Sequence, residues 1–126
     1  MISEDVADFF AFLESRGFDP EVFERISANR EDQRDFPEPA PVRIGKSSIQ
    51  GVGVFATTDF SEGEVVASAL FDGKRTPAGR YTNHSKSPNA AMVLRENGDI
   101  DLTATQPISE GEEVTVNYRQ VMELIH

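Results

Sequence analysis

The stretch Arg80-Tyr81-Thr82-Asn83-His84-Ser85-Lys86-Ser87-Pro88-Asn89 is the most informative part of this chain. It contains one of the two tyrosines and the only histidine that precedes the C-terminal residue. Pro88 has no N–H, and Asn and Ser side chains compete for nearby backbone groups, so we expect neither a regular helix nor a regular strand here. Apolar, strand-like runs flank the stretch on both sides. The pattern predicts a polar loop held in a sheet framework, where ligand-binding groups are often found, although an ordinary turn with a solvated histidine explains it equally well.

Short apolar runs alternate with turn residues from position 42 to position 118. β-Branched residues are frequent in the runs, and Gly, Asn, Ser or Pro separates them, which is typical of an all-β pattern. The Asn97-Gly98 pair is a strong signal for a tight hairpin. We therefore predict six strands, at 42–44, 52–57, 65–69, 91–95, 100–105 and 114–118.

Two short segments nearly repeat each other: Ser61-Glu62-Gly63-Glu64 and Ser109-Glu110-Gly111-Glu112. Each precedes β-branched residues, so each predicts a glycine turn that leads into a strand. Because the repeat is so short, shared turn chemistry explains it better than a duplicated unit does.

Charge and composition limit the classes of function. The formal net charge is −10 and the chain contains no cysteine. An acidic chain is a poor binder of nucleic acid, because phosphate contacts need clustered Lys and Arg. Basic, lysine-rich partners suit it better, although a solvated surface that serves solubility explains the charge at least as well. The lack of cysteine excludes disulfides and zinc–thiolate sites, and without an apparent membrane span or signal peptide we expect a soluble intracellular protein.

The first forty residues follow a different pattern. Apolar residues at helical spacing, a glycine at Gly17 and a restart at Asp19-Pro20 predict a helix pair within residues 1–36. Alternating prolines predict an extended linker at 37–41, and residues 42–126 form the main domain. The helix pair either packs without chemistry or serves docking or dimerisation, so a homodimer is one expectation.

Two further motifs lie before and after the central stretch. Gln50-Gly51-Val52-Gly53 places two glycines at the entry to a strand, where a ligand or a chain segment can approach the backbone. Gly111-Glu112-Glu113-Val114-Thr115-Val116-Asn117-Tyr118 is a turn, a strand and a terminal tyrosine. Either motif alone is explained by ordinary turns and packing. In this order, with Asn83-His84-Ser85 between them, they resemble the SET-domain protein-lysine methyltransferases over about residues 42–119.

This resemblance implies a fold, a cofactor and a set of site residues. The fold would be mainly β, a SET-like (β-clip) arrangement of short strands with a knot-like C-terminal threading. The cofactor would be S-adenosyl-L-methionine, and the substrate a lysine side chain of a basic protein, with no metal, no membrane and no nucleic acid involved. Tyr118 would be the catalytic channel tyrosine. The residues that would contact the cofactor are Gly51, Val52, Gly53, Arg80, Tyr81, Asn83 and His84.

The sequence also departs from this family. Most members have a substantial insert that forms much of the peptide-binding wall, and only residues 71–79 occupy its place here. After Tyr118, only residues 119–126 follow. Tyr81 and Tyr118 are the only tyrosines, so one chain cannot build the usual multi-tyrosine channel. The minimal size is similar to that of virus-encoded members, which would place the protein in the cytoplasm or nucleus of a host. Two functions stay open: a lysine methyltransferase completed by the helix pair or by a second subunit, and a non-catalytic SET-like module that binds a protein partner, with or without cofactor.

Overall fold

A computed structural model of the chain describes residues 33–124. Over this range the chain forms eight strands and two short helices. In chain order they are β1 (Val42–Lys46), β2 (Val52–Ala56), β3 (Val65–Phe71), β4 (Lys74–Arg75), α1 (Pro77–Tyr81), β5 (Asn83–His84), β6 (Ala90–Leu94), β7 (Ile100–Ala104), β8 (Glu113–Val116) and α2 (Tyr118–Leu124). The predicted mainly β architecture is therefore confirmed, and each of the six predicted strands begins within one residue of its predicted start.

The strands form two four-stranded sheets. One has the order β1-β2-β8-β5 and the other the order β4-β3-β7-β6. The neighbouring strands are antiparallel except for β5 and β8, which pair in parallel. The C-terminal strand β8 therefore lies between the strand that follows the paired glycines and the strand that contains the Asn-His pair.

Alternating burial explains why the strands β6 and β7 pair. In β7, Ile100, Leu102 and Ala104 are buried and the two residues between them are less so, as expected for a strand with one face on the core. The Asn97-Gly98 turn joins the two strands, and Gly98 has a φ of 93°, which a glycine adopts without steric cost. The predicted hairpin is confirmed.

The two Ser-Glu-Gly-Glu segments form the same turn. Gly63 and Gly111 have φ values of 91° and 90°, and in each turn the last glutamate accepts a hydrogen bond from the first residue's N–H. The Gly63 N–H donates to Ala104 O and the Gly111 N–H donates to Ala56 O, both at 2.8 Å. Each turn thus closes the end of the neighbouring strand in its own sheet. The first turn precedes β3 and contacts β7, and the second precedes β8 and contacts β2.

The core contains side chains from both sheets. Val54, Val114 and Val116 come from one sheet and Val66 and Leu102 from the other, and each is at most 1% exposed. Burial of such side chains is the main stabilising contribution in a domain of this size.

The central stretch is more regular than predicted. Its first two residues, Arg80 and Tyr81, are the last two of α1. This helix begins at Pro77 because the Thr76 hydroxyl caps it by accepting a hydrogen bond from Gly79 N at 3.3 Å. Asn83 and His84 then form β5 against β8. The expectation that neither helix nor strand occurs here was wrong, because the tertiary pairing with β8 overrides the local preference of the polar sequence.

Tyr118 does not end a strand. β8 stops at Val116, and Tyr118 is the first residue of α2. The Asn117 side chain accepts a hydrogen bond from Arg119 N at 2.9 Å, and the Asn117 carbonyl accepts one from Val121 N at 3.2 Å. Asn117 therefore caps a helix where a continued strand was predicted. The strand predicted at 114–118 therefore ends two residues earlier than expected.

Residues 71–79 form a tight turn, a short strand and the start of α1. β3 turns through Asp72 and Gly73, with φ values of 52° and 78°, into β4, and α1 follows one residue later. Most of the predicted helix pair within 1–36 falls on residues 1–32, which lie outside the described range. Residues 34–41 contain no helix or strand, and Phe36 and Ala40 pack against the core. No helix within residues 33–124 has the length and apolarity that a membrane span requires.

Candidate functional site

His84 and Tyr118 are brought together although they lie far apart in sequence. His84 is buried, with 1% of its surface exposed. Its Nδ1 accepts a hydrogen bond from the Tyr118 backbone N–H at 3.0 Å, and the two ring centroids lie 5.2 Å apart with an interplanar angle of 55°. The histidine therefore contacts both the backbone at the start of α2 and the tyrosine ring.

The Tyr118 hydroxyl also has a partner within the fold. It donates a hydrogen bond to the Thr82 carbonyl oxygen at 2.9 Å. Burial, and secondly the negative charge of Glu113, raise the pKa of Tyr118 far above its ordinary value. The hydroxyl consequently stays protonated at neutral pH and acts as a hydrogen-bond donor within the fold.

Asn83 connects β5 to the segment that contains the paired glycines. Its Nδ2 lies 3.1 Å from Gln50 O, 3.0 Å from Val52 O and 2.9 Å from Glu113 Oε2. Three acceptors thus surround the two amide hydrogens, which leaves no donor for a ligand. The Oδ1 atom forms no hydrogen bond among the described residues, so Asn83 can bind a ligand as an acceptor.

The glycines of the Gly51-Val52-Gly53 segment have different structural roles. Gly51 has a φ of 51°, so its position in the turn before β2 requires a glycine. Gly53 is buried, and a Cβ atom there would collide with the Glu113 carboxylate and lie 3.1 Å from Asn83 Nδ2. Val52 is 42% exposed beside them. Gly51 and Val52 are therefore exposed beside Asn83, whereas Gly53 is buried against Glu113.

Glu113 is a site residue that the sequence reasoning missed as such. Its carboxylate accepts hydrogen bonds from Ser47 Oγ at 2.8 and 2.9 Å as well as the one from Asn83. The same Ser47 hydroxyl accepts a hydrogen bond from Ile49 N at 2.9 Å. The carboxylate therefore ties the β1–β2 turn to β5. The only signal in the sequence was the second glutamate of the Gly111-Glu112-Glu113 turn.

Arg80 and Tyr81 lie in a neighbouring cleft. The Arg80 guanidinium is 4.9 Å from the centre of the Tyr81 ring, and both residues line a cleft of about 450 Å³ together with Arg34 and Arg75. Arg80 Nη1 is buried and has no hydrogen-bond partner among residues 33–124. A buried donor of this kind suits an oxyanion ligand. Gly51, Gly53 and Asn83 do not line this cleft, so the eight predicted site residues divide between two adjacent areas joined by the chain from 80 to 84.

The part of the chain that the structure describes contains no group of three or more His, Cys, Asp or Glu residues placed to hold a metal ion. Asn89 has a structural role: its side chain donates to Glu113 O at 2.9 Å and accepts from Thr115 N at 2.9 Å. It thereby holds the loop after β5 against β8.

Comparison with known proteins gives a family match and a set of similar structures. The model of the SET domain family matches residues 67–119. This match begins after the Gly51-Val52-Gly53 segment and ends one residue after Tyr118. No curated protein sequence matches the chain.

Solved structures share the fold. A Plasmodium falciparum protein, titled a candidate histone methyltransferase, is 21% identical with a TM-score of 0.54, and the match covers 64% of this chain and 95% of that one. A humanized mutant of Polycomb Repressive Complex 2 from Chaetomium thermophilum, bound to an inhibitor, is 25% identical with a TM-score of 0.53 and covers 64% of this chain. The same complex in an autoinhibited conformation bound to S-adenosylmethionine is 23% identical with a TM-score of 0.54 and covers 70%. This chain spans only 15% and 17% of the length of those two chains.

Proposed function

We propose that this chain, which carries a SET domain at residues 67–119, is an S-adenosylmethionine-dependent protein-lysine N-methyltransferase. The observation that supports the proposal most is the hydrogen bond from the Tyr118 N–H to His84 Nδ1. It joins the helix that begins with the tyrosine to the Asn83-His84 strand, and Asn83 in turn contacts the glycine segment. The family match, the S-adenosylmethionine-bound similar structure and this geometry all favour the same cofactor.

The donors and acceptors present suit S-adenosylmethionine. Its ammonium group needs acceptors. The hydrogen bonds of Asn83 within the described residues all involve Nδ2, so Oδ1 would serve as an acceptor for the ammonium. Its carboxylate needs donors, and Arg80 has one buried nitrogen without a partner among the described residues. When bound, S-adenosylmethionine supplies an electrophilic methyl group. These two groups share one carbon atom, so Asn83 and Arg80 would together hold the amino-acid end of the cofactor.

Tyr118 would position the substrate amine. Methyl transfer to an amine is an in-line displacement, so holding the lone pair on the correct line supplies much of the rate. The tyrosine hydroxyl donates to Thr82 O, and its oxygen would accept a hydrogen bond from an N–H of the amine. Because its pKa is raised, the hydroxyl does not act as a general base at neutral pH. The amine must lose its proton to solvent or to another group, and a partly buried position favours the neutral form.

A methyl-transfer assay on lysine-rich peptides tests the proposal. The wild-type chain with S-adenosylmethionine should methylate lysine side chains, and peptides in which arginine replaces every lysine should stay unmodified. The net charge of −10 favours basic peptides among substrates. Wild-type protein that binds the cofactor but methylates no lysine in a diverse basic peptide set would argue against the enzyme.

A non-catalytic SET-like module is the second candidate, and the hairpin at residues 71–79 favours it. This hairpin leaves little of the wall that holds a substrate peptide in larger members of the family. The module would bind a protein partner, with or without cofactor. Partner capture by wild type and Tyr118→Phe alike, with no methyl transfer from either, would support this candidate. The knot-like threading of the C-terminal segment stays a prediction, and the parallel pairing of β5 with β8 supports it.

A further inference from the structure

The side chain of Gln120 pairs with the edge strand β6 as a neighbouring strand would. β6 is the outermost strand of its sheet. Arg95 N donates to Asp99 O across the hairpin with β7, and Met92 lies three residues before Arg95. Because hydrogen-bonded and non-hydrogen-bonded residues alternate in an antiparallel pair, the Met92 N–H and C=O point away from β7. Gln120 Oε1 accepts from Met92 N at 3.2 Å, and Gln120 Nε2 donates to Met92 O at 2.9 Å. One side-chain amide thus satisfies both backbone groups that the edge would leave open.

These two hydrogen bonds fasten α2 to the sheet of β6, whereas its first residue is fastened to the sheet of β5. The Tyr118 N–H donates to His84 in β5, and the Tyr118 hydroxyl donates to Thr82 O just before that strand. α2 has 7 residues, none of them buried. A helix of this length is not stable by itself. Its orientation therefore depends on these two attachments and on the packing of Val121 and Leu124 against the core.

We infer that Gln120 is a positioning residue for methyl transfer, which holds α2 on β6 so that the Tyr118 hydroxyl keeps its place on Thr82 O. This inference rests on the proposed function, in which that hydroxyl orients the substrate amine. A displacement transfers the methyl group along one line, so a small rotation of α2 that moves the hydroxyl also slows the reaction. Gln120 acts only through the tyrosine, and its effect should disappear when the hydroxyl is absent.

A merely structural role for Gln120 predicts a different result. If its amide only added stability, its loss would slow methylation by the same factor with and without the Tyr118 hydroxyl, because the effects of independent sites on a free energy add. A positioning role predicts that the two substitutions are coupled. The coupling, rather than the effect of either substitution alone, separates the two roles.

The experiment is a double-mutant cycle on the full chain with Gln120→Met, Tyr118→Phe and the two combined. Gln120→Met removes both hydrogen bonds to Met92 and keeps the length and the helix propensity of the side chain. It should slow single-turnover methylation of a lysine-rich peptide at least ~5-fold in the wild-type background and less than ~2-fold in the Tyr118→Phe background. Calorimetric titration should show an unchanged affinity for S-adenosylmethionine. Equal slowing in the two backgrounds would overturn the inference and leave the proposed function intact.

Glu123→Met is the matched control, because Glu123 is exposed on the same helix. The substitution introduces the same side chain and removes no contact with β6. Its methylation rate should equal that of the wild type. A loss of rate as large as that of Gln120→Met would overturn the inference, since the hydrogen bonds to Met92 would then not be its cause.

Denaturant unfolding of the same four proteins tests the coupling without activity. Tyr118→Phe should shift the unfolding midpoint less in the Gln120→Met background than in the wild-type background, because a displaced hydroxyl has already lost its bond to Thr82 O. Equal shifts would overturn the inference. Coupled shifts in a wild type that methylates no peptide would overturn the proposed function and support the link between Gln120 and Tyr118. If Gln120→Met does not fold, Gln120→Glu takes its place in both cycles, since its carboxylate keeps the acceptor for Met92 N and loses the donor to Met92 O.

Discussion

Tyr118 is held at both its backbone and its side chain by residues of one short segment. Its N–H donates to His84 Nδ1 and its hydroxyl donates to Thr82 O. The backbone bond is independent of the phenol oxygen. The position of the ring and the function of the hydroxyl can therefore be tested separately.

The first prediction concerns the rate of methyl transfer. Tyr118→Phe keeps the ring and the bond to His84 and removes only the oxygen that would orient the amine. Single-turnover methylation should slow at least ~10-fold, about 1.4 kcal/mol of activation free energy, while affinity for S-adenosylmethionine stays nearly unchanged. The Thr82 carbonyl loses a partner, so the free energy of unfolding should fall by roughly 0.5–1.5 kcal/mol. A fully active variant would remove Tyr118 from the proposed catalytic role.

The pH dependence of stability gives a second prediction for the same hydroxyl. Its folded-state pKa is raised above the ordinary value of 10.0, so the folded chain holds this proton more tightly than the unfolded chain. The contribution of the hydroxyl is therefore fully present below pH 10 and is lost as the pH rises further. Above that point the wild type should lose stability relative to Tyr118→Phe, by up to ~1.4 kcal/mol per pH unit. Denaturant unfolding at several alkaline pH values measures this, and parallel curves for the two proteins would contradict it.

Among the secondary structure elements, the strands that have one face on the core could be predicted and the shortest elements could not. β7 alternates buried and less buried residues, and its hairpin carries an Asn-Gly turn, so both signals are local. β5 has only two residues, Asn83 and His84, and exists because β8 lies beside it. The role of Glu113 also escaped prediction, because its partner Ser47 lies 66 positions away along the chain. Local patterns do not specify such pairings.

The third prediction concerns the packing of α1 on β3. Gly79→Ala would ordinarily favour a helix by about 0.5–1 kcal/mol. Here the new Cβ would meet the Ala69 carbonyl, whose carbon lies 3.0 Å from the Cβ position. Because that contact is with backbone, α1 must shift, and we expect a net loss of about 1–3 kcal/mol in the free energy of unfolding.

Gly45→Ala is the matched control for this variant. The side-chain end of Arg43 is flexible and is the only close contact at that position. Denaturant titration should show a change within about 0.5 kcal/mol. Equal stability of Gly79→Ala and wild type would show that α1 is not held tightly against β3.

For the whole molecule, the site depends on β8, which lies between β2 and β5 in one sheet. The glycine segment precedes β2 on one side of β8, the Asn-His pair forms β5 on the other, and the tyrosine follows β8 directly. A cofactor bound there would contact segments far apart in sequence and would stabilise the fold as a unit. The match to the Plasmodium falciparum structure covers 95% of that chain and 64% of this one, so the shared fold accounts for nearly all of that chain.

Calorimetric titration of the wild-type chain with S-adenosylmethionine, beside Asn83→Ala, tests the central claim most directly. Wild type should give saturable heat and a raised melting temperature. Asn83→Ala should bind more weakly by roughly 1–3 kcal/mol, because it removes the acceptor and leaves Glu113 and two carbonyls without their donor. No heat and no change in melting temperature at millimolar cofactor in the wild type would contradict the claim that this chain is an S-adenosylmethionine-dependent methyltransferase.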